Sequence, residues 1–116
     1  MSVLLPSDLA FALADTTRLR VLVLLHRARR ELCVCELTAA LDLVQPKMSR
    51  HLKALRDAQI LRAQRSGQWV YYRLNPALPL WAVEVLRGFA DGAESQAPYR
   101  DDLARLKTAC GATGCR

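Results

Sequence analysis

The chain lacks what the common hydrolytic and nucleotide-using enzymes need. Its five glycines in 116 residues form no loop able to cradle phosphates, and no Ser-His-Asp set or paired carboxylates support hydrolysis. No enzymatic activity is expected. Long apolar runs are missing too: the run Val21 to Leu25 is far too short to cross a membrane. The N-terminus, Met1-Ser2-Val3-Leu4-Leu5-Pro6-Ser7-Asp8, has no basic opening, and Asp8 and Asp15 interrupt its apolar stretch, which argues against a secretory signal. These absences predict a cytoplasmic protein with no membrane partner, whose four cysteines are held reduced. The even cysteine count implies no disulfide framework, because a chain so rich in helix formers needs no staples. Acids are the minority charge: 11 Asp and Glu stand against 17 Lys and Arg, for a net charge of +6. A basic balance suits an acidic partner, but only the placement of the charges can decide that.

Apolar residues make up 52% of the 13.0 kDa chain, enough for one real core with little to spare. Helical periodicity dominates. Leu9, Ala12 and Leu13 line a first short helix. Asp15 or Thr16 can cap a second, in which Leu19, Leu22, Val23 and Leu25 repeat as far as Arg27-Ala28-Arg29-Arg30. A third short helix fits Cys35 to Leu41. A turn at Asp42-Leu43-Val44 leads to a fourth, about Pro46 to Ala58, with Pro46 at its first position.

In that fourth helix Met48, Leu52 and Leu55 form the inner face, while Lys47, Ser49, Arg50, Lys53 and Arg56 lie elsewhere. The period then changes to two. Leu61-Arg62-Ala63-Gln64 and Trp69 to Leu74 read as strands joined at Arg65-Ser66-Gly67-Gln68. A fifth helix, about Leu80 to Phe89, is apolar around much of its girth and asks for a partner. Asp91 to Pro98 reads as a linker, followed by a helix from about Tyr99 to Ala109 and a flexible tail from Cys110 to Arg116. The resulting division is a DNA-binding and dimerisation domain over 1–92 and a C-terminal helix with a cysteine-bearing tail over 93–116.

Three helices, a helix bearing Lys, Arg, Ser and His, then a basic hairpin: this order describes a winged helix-turn-helix, mainly α with a small β-hairpin. A helix fits the major groove, where Gln45, Lys47, Ser49, Arg50, His51 and Lys53 are the candidates to reach DNA. Arg62, Arg65 and Gln68 of the hairpin are candidates for phosphate contact. Charge alone would leave these residues as a solvated helix face. His51 can equally be a packing residue, and Arg56 a surface charge. Trp69 and Tyr71 suit packing better than base stacking.

Leu13-Ala14-Asp15-Thr16-Thr17-Arg18-Leu19-Arg20, Glu31-Leu32-Cys33-Val34-Cys35-Glu36-Leu37, Gln45 to Leu52 and Gly67 to Leu74 resemble the ArsR/SmtB family, and within it the arsenical-responsive repressors. The resemblance covers most of residues 4 to 90. It implies a homodimer that represses by occupying double-stranded operator DNA and leaves when an inducer binds. It also implies that the helix from Pro46 reads the groove and that the terminal helices form the dimer interface. Two-fold symmetry then predicts an inverted-repeat operator with half-sites about 10 or 20 bp apart.

Cys33 and Cys35 fall in the inducer motif that the resemblance identifies. Trivalent arsenic or antimony is the expected inducer, because both are soft and prefer thiolates, and no organic cofactor is expected. A helix N-terminus with Arg29 and Arg30 nearby would favour the thiolate form; cysteine type alone would make the pair small buried apolar residues. Relatives commonly carry a third cysteine where this chain has Thr38. The site is then a two-thiolate one for a mono-substituted arsenical, or it takes a third ligand from Cys110, Cys115 or an exogenous thiol or hydroxide. With only His26 and His51 present, the His-rich zinc site of other branches is absent. A four-cysteine tetrahedral site would need an ordered tail.

The spacing carries a mechanical expectation. Residues i and i+2 lie about 200° apart around a helix but share one face of an extended segment. A ligand held by both sulfurs should therefore distort the start of the third helix and shift the reading helix. Two alternatives stand beside this one. In the first, the same fold senses redox state through a Cys33–Cys35 or tail disulfide. In the second, the chain is a thiol oxidoreductase or arsenic-carrying chaperone, which leaves the basic helix and hairpin unexplained.

Overall fold

The structure is a computed structural model that describes residues 4–112, with side chains through position 109. Among these residues the chain runs α1 Pro6–Leu13, α2 Thr16–Ala28, β1 Leu32–Cys33, α3 Val34–Leu41, α4 Gln45–Asp57, β2 Leu61–Ser66, β3 Trp69–Leu74, α5 Leu80–Ala93 and α6 Tyr99–Ala112. It is a mainly helical winged helix-turn-helix: α3, the turn at 42–44 and α4 make the helix pair, and β2–β3 make the wing.

Local chemistry sets the helix ends. Asp15 caps α2 in extended conformation, its Oδ1 accepting from the Arg18 amide at 3.0 Å. That hydrogen bond is the main reason its carboxyl titrates below the usual range. Asp15→Ala is expected to cost about 1 kcal/mol of stability, read as a Tm lower by about 4 °C; an unchanged melt would show that the cap contributes nothing. Arg18 in turn closes α1, donating from its guanidinium to the Ala12 and Phe11 carbonyls at 3.1 and 2.9 Å.

Leu22 and Leu24 of α2, Leu37 and Leu41 of α3, Met48, Leu52 and Leu55 of α4, and Ile60 before β2 are almost wholly buried in one cluster. The i, i+4, i+7 stripe on α4 turns its polar face outward. Helix α6 joins the same cluster through Leu106 and lies against α2 and α3. The 92/93 division therefore falls in the last turn of α5, and the residues beyond it build part of this core.

Helix α6 is also tied by charge. Asp102, 1% exposed, accepts from Arg20 at 2.9 and 2.7 Å and from Arg105 at 2.8 Å. The same two guanidiniums donate to the Leu41 and Ala40 carbonyls at 3.0 and 2.6 Å, which are among the free carbonyls at the C-terminal end of α3.

Several boundaries differ from the sequence expectation. Helix α5 runs four residues past Phe89 to Ala93, taking Asp91 to Ala93 out of the linker, because Ala90 and Ala93 bury against Val23. Helix α6 continues to Ala112, which places Cys110 on a helix and not in a flexible tail; Cys115 lies outside the described residues. Pro46 is the second residue of α4, after Gln45. Strand β2 reaches Ser66, leaving a two-residue turn whose Gly67 has φ 61, as a II′ hairpin requires.

The largest difference is β1. This two-residue strand makes the sheet three-stranded, in the order β1-β3-β2. Its register sets Leu32 opposite Tyr72 and Cys33 opposite Tyr71.

Candidate DNA interface and thiol site

On α4, Gln45, Lys47, Ser49, Arg50 and Lys53 are exposed and His51 is half-buried. Lys47, Arg50 and His51 line a cavity of about 430 Å³ with Thr17 and Arg18 of α2, a grouping that helical spacing within α4 could not reveal for Thr17. His51 also acts on Asp15, where it adds to the stronger effect of the Arg18 amide. Among the described residues Lys47 and Arg50 form no ion pair. Lys53 Nζ lies 2.8 Å from Asp57 Oδ2, an exposed i, i+4 pair that would yield readily to a phosphate.

The wing divides its candidates. Arg65 and Gln68 are exposed beside the turn, whereas Arg62 sits at the far end of the ladder opposite Arg73. Side chains alternate along a strand, so Arg62 and Arg65 project from opposite faces. Only Arg65 and Gln68 are gathered at the tip.

The sulfurs of Cys33 and Cys35 meet directly and are paired as a disulfide, with Cα atoms 5.4 Å apart. The helix is intact beneath them. Cys33 is its N-cap, extended at φ −80 and ψ 164, and α3 is regular from Val34 onward. The expectation that joined sulfurs distort the start of the helix is corrected for this pairing: α3 begins at Val34, one residue before the expected Cys35, and extended Cys33 reaches Cys35 across a regular helix start. Cys33 is 1% exposed; Cys35 is half-buried and gives the easier access.

Cys33 and Glu36 form a capping box. Cys33 Sγ accepts from the Glu36 amide at 3.4 Å, and Glu36 Oε1 accepts from the Cys33 amide at 3.0 Å. The Cys-x-x-Glu spacing carries this signal, with sulfur in the place of the usual hydroxyl. Glu36 is wholly buried and its Oε2 lies 3.0 Å from Arg30. Thr38 donates its hydroxyl to the Cys35 carbonyl at 3.0 Å. Among the described residues no group of three or more His, Cys, Asp or Glu could hold a metal ion. Cysteine thiolates fit a soft, trivalent ion with two donors; a third must come from elsewhere.

The apolar girth of α5 is exposed. Leu80 and Phe89 are 72% and 45% accessible, with Trp81, Val83 and Val85 beside them and Phe11 of α1 at 75%. A groove of about 430 Å³ between α1 and α5 is lined by Pro6, Leu9, Leu13, Trp81, Val85 and Phe89.

Comparison with known proteins agrees with this architecture. Residues 15–63 match the family described as "Bacterial regulatory protein, arsR family". The "Arsenic resistance transcriptional regulator ArsR1" of Pseudomonas putida is 54% identical over 89 residues, covering 77% of this chain and 69% of that protein. The "Arsenical resistance operon repressor" of Escherichia coli is 50% identical over 86 residues, 74% of this chain and 73% of that one. Among solved structures, the "homodimeric winged helix-turn-helix DNA-binding domain" of Mb0332 from Mycobacterium bovis aligns with TM-score 0.62 at 25% identity, over 80% of this chain and 82% of that one. The "AntR antimony-specific transcriptional repressor" aligns with TM-score 0.57 at 31% identity, over 83% and 91%. With half of the aligned residues identical over about 70% of each relative's length, and the helix pair and wing in place, the chain belongs to the arsR family of bacterial regulatory proteins.

Proposed function

We propose that the chain is a homodimeric repressor of an arsenic-resistance operon, released from operator DNA when trivalent arsenic or antimony binds Cys33 and Cys35. The observation that carries this reading is the position of Cys33. It caps α3, the first helix of the helix-turn-helix, and it pairs with Tyr71 on β3, a strand of the wing. A ligand on its sulfur acts at the junction of both DNA-facing elements. The names of the similar proteins support the choice of a soft metalloid.

The intact α3 changes how release would work. Metalloid bound to Sγ of Cys33 draws on the electron pairs that accept the Glu36 amide, weakening a cap worth about 0.5–2 kcal/mol. It also fixes Cys33 against Tyr71. Coupling of about 1–3 kcal/mol per site is typical of such switches, and a weakened cap is of that order. Cys110 and Cys115 remain candidate third ligands, beside a small thiol or hydroxide.

Exposed α1 and α5 surfaces supply the dimer face in this reading, and two-fold symmetry calls for an inverted-repeat operator. In DNA binding, Gln45, Lys47, Ser49, Arg50, His51 and Lys53 face the groove while Arg65 and Gln68, at the wing tip, contact the backbone. Arg50→Ala is expected to weaken operator affinity roughly 5- to 150-fold, the range for a good base contact, with unchanged helicity by circular dichroism. Wild-type affinity and salt dependence in fluorescence anisotropy would remove Arg50 from the interface.

The Cys33–Cys35 disulfide favours a second reading, in which oxidation releases the DNA. Gel shifts of phosphine-reduced, DNA-bound protein titrated with arsenite or with peroxide separate the two. Release by arsenite under reducing conditions supports metalloid sensing; release by peroxide alone supports redox sensing.

A further inference from the structure

Next to the cysteine pair lies a cleft of different chemistry. Where the end of α2 meets β1 and the end of β3, a cavity of about 370 Å³ is lined by His26, Arg29, Arg30, Glu31 and Arg73 with two leucines. Three guanidiniums and an imidazole face one carboxylate. Arg30 is engaged with Glu36, but among the described residues Arg29 and Arg73 form no ion pair. Concentrated like charge in a concave site attracts anions.

The ladder register places this cleft beside Cys33. Cys33 stands opposite Tyr71 and Leu32 opposite Tyr72, so the next position along sets Glu31 beside Arg73. Residues two apart on a strand share a face and lie about 7 Å from each other. Arg73 therefore flanks the Cys33–Tyr71 pair on its own side of the sheet. Trivalent arsenic forms three bonds, two sulfurs supply two, and the Thr38 hydroxyl is bonded to the Cys35 carbonyl.

We propose that the third ligand is the sulfur of a small, carboxylate-bearing thiol, whose carboxylate Arg29 and Arg73 hold in the basic cleft. This rests on the metalloid reading above and names the form in which arsenic is recognised. Guanidiniums bind carboxylates through strong, charge-assisted forks. A tripeptide-sized thiol spans roughly 10 Å when extended, enough to join cleft and sulfurs. Binding is ligand exchange without redox change at arsenic. Arsenic arrives on three small thiolates; the cysteine sulfurs form two As–S bonds as two small-thiol bonds break, and each cysteine proton leaves on a departing thiol. The Cys33–Cys35 disulfide is first opened by two equivalents of small thiol, which leave as their own disulfide.

The test is native mass spectrometry and arsenite titration of the full chain, reduced with a phosphine that is then removed, in equimolar glutathione, cysteamine or 2-mercaptoethanol. The expected adduct carries one arsenic and one glutathione per subunit. Arsenite should bind roughly tenfold tighter with glutathione than with the two thiols that lack a carboxylate. Arg29→Gln with Arg73→Gln should erase the difference among the three thiols, with wild-type far-UV circular dichroism and thermal melt showing that the site still folds. Equal affinity in all three thiols, an advantage that survives both substitutions, or an arsenic adduct without small thiol would overturn the proposal. The last outcome would point to Cys110 or Cys115, checked with Cys110→Ser and Cys115→Ser. Phenylarsine oxide needs only two sulfurs. If it binds while arsenite shows no preference for glutathione, the metalloid reading stands and this inference alone fails; if neither binds, both fail.

Discussion

Cys33→Ser and Cys35→Ser proteins are expected to stay on operator DNA at arsenite concentrations that release the wild type. Wild-type operator affinity should fall roughly 5- to 150-fold at saturating arsenite, the range of ordinary coupling energies, while each serine variant changes less than about twofold. The two positions differ in a useful way. Serine is a good N-cap, so Cys33→Ser keeps the cap on the Glu36 amide while removing the soft ligand. Cys33→Ala removes both and should cost about 1 kcal/mol of stability as well. Comparing the pair separates ligation from capping. Anisotropy titrations on labelled operator read the first effect and thermal melts the second. Arsenite-driven release that survives in either serine variant would remove that sulfur from the trigger.

Asp102→Ala is expected to have the largest effect on stability. The carboxylate is 1% exposed and Arg20 is 15% exposed at its side chain, so their pair is nearly dry. Removing one partner of such a pair leaves an uncompensated charge and costs about 3–5 kcal/mol. Arg105, at 42% exposure, adds little because water screens it. A domain of this size holds about 5–15 kcal/mol in all, so the melt should fall by more than about 10 °C. Asp102→Asn keeps a hydrogen-bond acceptor and should fall less. The consequence reaches the DNA site, because Arg20 and Arg105 also hold the Leu41 and Ala40 carbonyls just before the turn into α4. Limited proteolysis should then cut α6 first. A melt within about 2 °C of wild type would show that the network contributes nothing to the fold.

The elements most readable before folding were those whose signal is local. Met48, Leu52 and Leu55 mark the inner face of α4 because i, i+4 and i+7 share a side of any helix. Gly67 marks the wing turn because few other residues accept its backbone angle. The end of α5 was misread because the Asp91-Gly92 pair looks like a breaker; burial of Ala90 and Ala93 against Val23 outweighs the cost of one helical glycine, about 1 kcal/mol. Cys110 lies on α6 for a related reason, since burial of Leu106 and Ala109 carries the helix through Gly111 to Ala112. The Cys-x-x-Glu spacing carries the Glu36 capping signal in the sequence, but it is weak because sulfur is an uncommon cap.

From the residues alone came the class of molecule, a basic helix after a helix and turn followed by a basic hairpin; the resemblance to the ArsR/SmtB family added the expectation of a thiol site at Cys33 and Cys35. Only the tertiary structure decided how those parts touch. A two-residue strand has no periodicity to detect, so the pairing of Cys33 with Tyr71 exists only once the wing has closed upon it. The same holds for the Arg20–Asp102–Arg105 network and for the cleft that gathers Arg29 and Arg73. Each joins residues far apart in the chain, and local propensity contains no term for such contacts.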